Sequence, residues 1–174
     1  MILGIVSDTH GNHALMHRIA RQLVQRHQAR VLLHLGDFYD DGQLLSLSGY
    51  DVRVVPGLTC IEFSLPHIPR TRVECFQGLT LAMAHTPELV SKHRNQARVL
   101  LHGHTHIPQI VDDGSNIWIN PGHLKAPRDR GQPATFATLQ IQRSGEAAVA
   151  IYGVDGDLLR EYRFSFTPSG DTGK

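Results

Sequence analysis

ILGIVSDTHGN, Ile2 to Asn12, runs from an apolar segment straight into a polar turn that carries a carboxylate and an imidazole two residues apart. Leu15, Ile19 and Leu23, joined by Met16, Ala20 and Val24, then recur at helical spacing and mark one face. The order is strand, polar loop, helix. VLLHLGD, Val31 to Asp37, reads as a second buried strand ending in Gly-Asp, and VRVVPG, Val52 to Gly57, as a third ending in Pro-Gly. Continuous apolar strands separated by helical segments favour a parallel sheet covered on both faces.

Further along, RVECFQGLTLAMAH predicts a hairpin turning at Gln77-Gly78, Glu88 to Gln96 predicts a helix, and RVLLHGHTH repeats the pattern of a strand with a ligand-rich end. From Ile107 onward, QIVDDGSNIWIN, ATFATLQIQ and EAAVAIYGV are short alternating runs divided by Asp-Gly and Ser-Gly turns, which predicts antiparallel pairing. The expected architecture is α/β, a four-layer α/β/β/α sandwich of two mixed sheets flanked by helices. One domain is expected over residues 1–166, with 167–174 as a flexible tail.

Composition narrows the function classes. The 174 residues, 41% of them hydrophobic, suffice for one substantial core. Seventeen basic and sixteen acidic residues leave a net charge of +1, with no cationic run for a nucleic-acid groove or an anionic membrane. No apolar stretch approaches the roughly 20 residues that span a bilayer. Met1 is followed directly by the apolar run without a secretory pattern, and Cys60 and Cys75 form no disulfide framework, so a cytoplasmic location is expected. An oligomer is compatible with the sequence.

The unusual number is twelve histidines, more than Phe, Tyr and Trp together. Histidine is the commonest metal ligand, so their placement matters. Asp8 and His10, at i and i+2 in extended backbone, would point the same way, although Asp8 as a helix cap is the plainer alternative. Gly36-Asp37 puts a second carboxylate at the same strand edge, where open α/β sheets collect ligands. Gly103-His104-Thr105-His106 adds two imidazoles at a strand end, and His85, after the LTLAMA strand, adds another.

Asp8, His10, Asp37, His85, His104 and His106 together exceed the needs of one tetrahedral ion. Nitrogen and oxygen donors without thiolate suit two divalent ions, Mn, Fe, Ni or Zn, about 3.5 to 4 Å apart around a shared carboxylate. Two such ions against two carboxylates leave about +2 to be balanced by hydroxide and an anion, for which a small phosphoester is the natural candidate. Neither a Gly-x-Ser-x-Gly elbow nor a P-loop is present. Asn12 and His123 are the candidate substrate-binding residues, with His123 also a candidate proton donor to the leaving group or simply a surface residue. His13, His17, His27 and His93 fall in helical segments and His67 in a loop, while His34 and His102 lie within strands.

SDTHGN, LGD, GHTH and the Asn120-Pro121-Gly122 turn, in this order and with Leu65-Pro66 and Pro127-Arg128 between and beyond them, resemble the calcineurin-like metallophosphoesterases, especially the small YfcE-like phosphodiesterases. The resemblance runs from Met1 to about Ile141. It implies a metallophosphoesterase fold and a hydrolase that favours phosphodiesters over monoesters. One metal would be held by Asp8, His10, Asp37 and His106, with Asp37 bridging to a second held by His85 and His104. The family's Asn ligand to that second metal is replaced by Leu58, in Gly57-Leu58-Thr59-Cys60, so the resemblance implies a weaker second site. The alternative it implies is a non-enzymatic, metal-binding interaction module with a degenerate second site, similar to the retromer subunit of the superfamily. Cys60 is read as a small half-buried cysteine in preference to a replacement thiolate.

Overall fold

The computed structural model describes residues 1–169. Strand β1 (Ile2–Val6) leads into helix α1 (His13–Gln25), followed by β2 (Val31–His34), α2 (Tyr39–Leu47) and β3 (Val52–Val54). After a 3-10 turn at Ile61–Ser64 come β4 (Thr71–Phe76), β5 (Leu79–Ala84), the short α3 (Pro87–Val90) and β6 (Val99–Leu101). Next are β7 (Gln109–Asp112), β8 (Ile117–Asn120) and a ribbon of β9 (Arg128–Asp129) with β10 (Gln132–Pro133). The long strands β11 (Thr135–Ile141), β12 (Glu146–Gly153) and β13 (Leu158–Ser165) are the last of the described elements.

The strands form two mixed sheets, in the orders β13-β12-β11-β1-β2-β3 and β4-β5-β6-β8-β7. β1, β2 and β3 are mutually parallel, as are β5, β6 and β8, so both sheets have carboxyl-terminal strand ends that can converge. The inner faces share one core: Leu3, Ile5 and Leu33 from the first sheet with Leu81, Met83, Leu101 and Ile119 from the second. Each such side chain, fully withdrawn from water, contributes about 1.5–3 kcal/mol.

Met16, Ile19, Ala20 and Leu23 of α1 cover the back of the six-stranded sheet together with Leu45 of α2. They are the centre of the face read from the sequence; Leu15 and Val24 lie at its margins. The helix sits so close to β1 that a Cβ on Gly4 would lie 2.8 Å from both Leu23 and Leu32 side-chain carbons. A side chain at Gly4 would therefore require the Leu23 and Leu32 side chains to shift.

Several expectations need correction. The Glu88–Gln96 helix is one α-turn capped by Thr86 plus a 3-10 turn at Ser91–His93, because only Val90 offers a buried anchor. The fourth layer is accordingly thin. β8 pairs antiparallel with β7 but also parallel with β6, and β13 was not foreseen. Its sequence LLREYRFS buries only Phe164, so its outward pattern carries no strand signal and its place comes from pairing with β12. The hairpin at Gln77-Gly78 is present, with both residues at positive φ. Ser169, assigned to the flexible tail, docks on that turn through its N–H and hydroxyl to the Gly78 carbonyl; the rest of the tail, 170–174, lies outside the described residues.

Candidate metal centre

The chemistry-bearing side chains gather where β1, β2, β5 and β6 end. Among the described residues eight non-glycine positions have positive φ, and five of them are Asp8, His10, Asp37, His104 and His106. Left-handed backbone at non-glycine residues is unfavourable and persists where the surroundings impose it, often at functional sites. This corrects the expectation that Asp8 and His10 align through extended backbone: tight left-handed turns aim them. Asp8 is not the cap of α1 either. That task falls to Asn12, whose side-chain oxygen accepts from Leu15 N at 3.3 Å while its amide donates to the Lys125 carbonyl at 3.0 Å.

Two overlapping donor groups result. In Asp8/His10/His106 and in Asp8/Asp37/His85, the candidate ligand atoms all lie within 4.8 Å of one another. His10 Nε2 and His106 Nε2 are 3.2 Å apart, and His106 Nε2 is 3.3 Å from Asp8 Oδ1. His10 Nδ1 lies 2.8 Å from Asp37 Oδ2, a buried oxygen that has no aligned hydrogen-bond donor among the described residues. His104 donates its backbone N–H to both Asp8 oxygens, at 3.2 and 3.0 Å, and its ring stands edge-on to that of His85, 5.1 Å between centroids. Its imidazole belongs to neither close group and is exposed.

The imidazoles are held by their far nitrogens. His106 Nδ1 lies 2.6 Å from Asp129 Oδ2 and His85 Nδ1 lies 2.9 Å from the Leu35 carbonyl, so in each ring Nδ1–H donates and Nε2 faces the centre. Carboxylate and carbonyl partners of this kind orient metal-ligating histidines. An orphaned Asp37 oxygen, two facing imidazole nitrogens and a shared buried carboxylate are what a divalent cation would satisfy, so the donor set fits metal. Close approach between the loops needs Gly103, where any Cβ would overlap Ser7 Oγ.

Electrostatics agree. Burial opposes charge on Asp8, but the hydrogen bond to His106 and the charge of His85 hold its carboxyl below the usual range. Asp8 in turn raises the His106 pKa, while desolvation lowers that of His10.

A family model described as the calcineurin-like phosphoesterase superfamily domain matches residues 1–144. The chain belongs to the calcineurin-like phosphoesterase superfamily. Its fold is shared by the YfcE phosphoesterase of E. coli, 22% identical over 96% of this chain and 100% of that one, with a TM-score of 0.72. A predicted phosphoesterase of Streptococcus pneumoniae TIGR4 is 20% identical over 94% and 97% of the two chains, at TM-score 0.72. Vps29 of Entamoeba histolytica, solved in complex with Zn2+, is 21% identical over 96% and 100%, at TM-score 0.69. No curated protein matches the sequence.

Within this calcineurin-like domain, other expected residues find definite places. His123, expected at the mouth, is fully buried: its ring stacks on that of His106 at 5.3 Å and its Nε2 donates to the Gln132 carbonyl. It therefore backs His106 and is not a surface residue. Leu58 is 45% exposed, on a turn whose Gly57 is pressed so tightly against the Asp37 backbone that a side chain there would overlap it. The Cys60 thiol points at the Asp37 carbonyl and burial pushes its pKa up, which disfavours a thiolate ligand.

Sequence reading missed the scaffolding of this calcineurin-like centre. Asp129 sits on the β9–β10 ribbon and is held well below the carboxylate range, at about 2, by Lys125 and His106. Its only sequence trace is the step after Pro127-Arg128. Asp129→Asn keeps the shape but weakens the grip on His106, and metal affinity measured by titration should fall roughly 10- to 100-fold.

A second missed element lies beneath the Asp8 and Asp37 turns. Gly36 N–H donates to His34 Nδ1, so the neutral ring donates from Nε2 to Thr9 Oγ1, and the Thr9 hydroxyl donates to buried Asp41. Asp41 also accepts from Gly11 N and His13. On the β8 side, Asn120 donates to the Gly103 carbonyl and Thr105 Oγ1 and accepts from Gly122 N, tying the last strand end to the GHTH turn.

Desolvation brings the His34 pKa down to about 4 from 6.5. Between those values the unfolded chain binds a proton that the folded one refuses, so stability is complete above the higher value and falls as pH drops toward the lower. This group alone should cost about 3 kcal/mol across that window. NMR titration of the His34 ring should show it neutral down to about pH 4; titration near its ordinary value would refute the buried network.

Proposed function

We propose that the protein is a metal-dependent hydrolase of phosphoesters that favours phosphodiesters, using two divalent ions drawn from Mn, Fe, Ni or Zn. The observation that carries this reading is the pair of overlapping donor groups that share Asp8 and contain no thiolate. When bound, the ions would polarise phosphoryl oxygens and lower the pKa of a water toward about 7.

The chain's own residues bind and orient. His10 and His106 present their ring nitrogens with Asp8 on one side, and His85 and Asp37 do so on the other. Asp129 holds His106 and the Leu35 carbonyl holds His85, so neither ring can rotate its donor away. Two ions against two carboxylates leave positive charge for an anionic substrate. No nucleophilic side chain is required, and the Cys60 thiol, protonated and engaged with Asp37, is not one.

Exposed Leu58, next in the chain to the Gly57 that packs against Asp37, motivates a second reading, a scaffold that keeps one ion and has lost catalysis. Metal content and turnover of bis(4-nitrophenyl) phosphate separate the two. The hydrolase reading expects close to two ions per chain and turnover with at least one of the four metals. Absence of turnover with all four would overturn it. With either reading the free cysteines Cys60 and Cys75 suit a reducing cytoplasm.

A further inference from the structure

We propose that the groove between α2 and the Cys60–Glu62 turn receives the organic group of the substrate, and that it selects a planar aromatic or apolar substituent bearing no further negative charge. The inference rests on the phosphoester reading above. The groove has a volume of about 680 Å³, within the range of about 300–1,000 Å³ usual for small-molecule sites. Its apolar wall comprises Phe38, Leu47 and Ile61, which are 44%, 83% and 73% exposed. Large apolar side chains grouped and left open to water mark a surface that a ligand or partner covers.

Continuity with the metal centre decides in favour of a substrate group. Phe38 follows Asp37 and Gly11 follows His10 in the chain, and both line the groove. The Phe38 ring stands edge-on to the His10 ring with 5.8 Å between centroids. Cys60, at the opposite wall, touches the Asp37 carbonyl. A phosphoryl group held by the donor groups would thus have an open aromatic face beside it.

Charge sets the chemical class. The carboxylates along the groove are Asp40, Asp41 and Glu62, and among the described residues neither lysine nor arginine lines it. The imidazole that lines it, His13, is paired with Asp41 at 2.9 Å. A second phosphate or a nucleic-acid backbone would meet uncompensated like charge there, whereas an aromatic ring gains apolar contact and stacking on Phe38.

The test is calorimetric binding of phenylphosphonate, methylphosphonate and 4-phosphonobenzoate to the Mn-loaded protein. Phenylphosphonate should bind roughly tenfold tighter than methylphosphonate, the worth of one well-placed aromatic contact. That ratio should fall toward one in Phe38→Ala and in Ile61→Ser, and the benzoate should bind more weakly than the phenyl compound. Equal phenyl and methyl affinities, or a ratio that survives both substitutions, would overturn the subsite and leave the groove to an apolar side chain of a polypeptide partner. Equal phenyl and benzoate affinities would overturn its charge selectivity. Phenyl preference with no hydrolysis of any ester would sink the hydrolase reading while the subsite stands.

Discussion

Asp8→Asn should cost both donor groups at once. Asp8 is the one side chain common to Asp8/His10/His106 and Asp8/Asp37/His85, it is 1% exposed, and its oxygens also fix the GHTH turn through His104 N–H. Asparagine preserves size and one acceptor oxygen but removes the negative charge that would balance two cations. Loss of a partner that merely orients a ligand costs about 10- to 100-fold in affinity or activity, so loss of a shared ligand should cost at least about 100-fold for each ion. Metal titration should show no high-affinity binding, and phosphodiester turnover should vanish. Retention of two ions at unaltered affinity would remove Asp8 from the centre.

Asp37→Asn makes the comparison informative. Family resemblance assigns the bridge to Asp37, whereas the donor geometry places Asp8 in both groups and Asp37 Oδ2 against His10 from the side of the second. If Asp8 is the bridge, Asp37→Asn should lose the second ion first and keep the Asp8/His10/His106 ion. Simultaneous loss of both ions in Asp37→Asn would restore the bridging role to Asp37.

Leu58→Asn should tighten the second ion and raise turnover. The Gly57-Leu58 turn is already pressed against Asp37, and Leu58 is 45% exposed, so asparagine meets no packing obstacle and leaves no cavity. Since the resembling family supplies an Asn ligand at this position, an amide oxygen should return at least the roughly 10- to 100-fold that even an indirect partner is worth. Metal titration and kcat/KM, measured at limiting Mn, should rise together. Activity that appears only in Leu58→Asn would favour the scaffold reading for the natural chain. Unchanged affinity would mean that the second group is completed by something other than residue 58.

Much of the fold was legible because the central strands β1, β2, β5 and β6 are buried on both faces and therefore announce themselves as apolar runs. β1, β2 and β6 end in motifs whose polar residues interrupt those runs abruptly, and the turn at Gln77-Gly78 uses residues that tolerate positive φ. β13 was illegible because seven of its eight residues are exposed or solvent-facing, and α3 was overextended because charged residues after Val90 look helical without having anything to pack on. His123 was misplaced for a related reason: a histidine after a turn gives no hint that a neighbouring imidazole will bury it.

The sequence by itself determined which residues could form a metal centre, since carboxylates and imidazoles at strand ends are chemical identities that no packing can change. It also located the weak point, because leucine at position 58 has no ligand atom wherever it falls. Only the tertiary structure decided that Asp8 is shared, that Asp129 and Leu35 aim the imidazoles, that His34 and Asp41 support the turns from beneath, and that Phe38 opens onto a groove. Those relations join residues far apart in the chain, brought together by sheet packing and by backbone turned left-handed at the ligands themselves, and such contacts leave no local pattern to read.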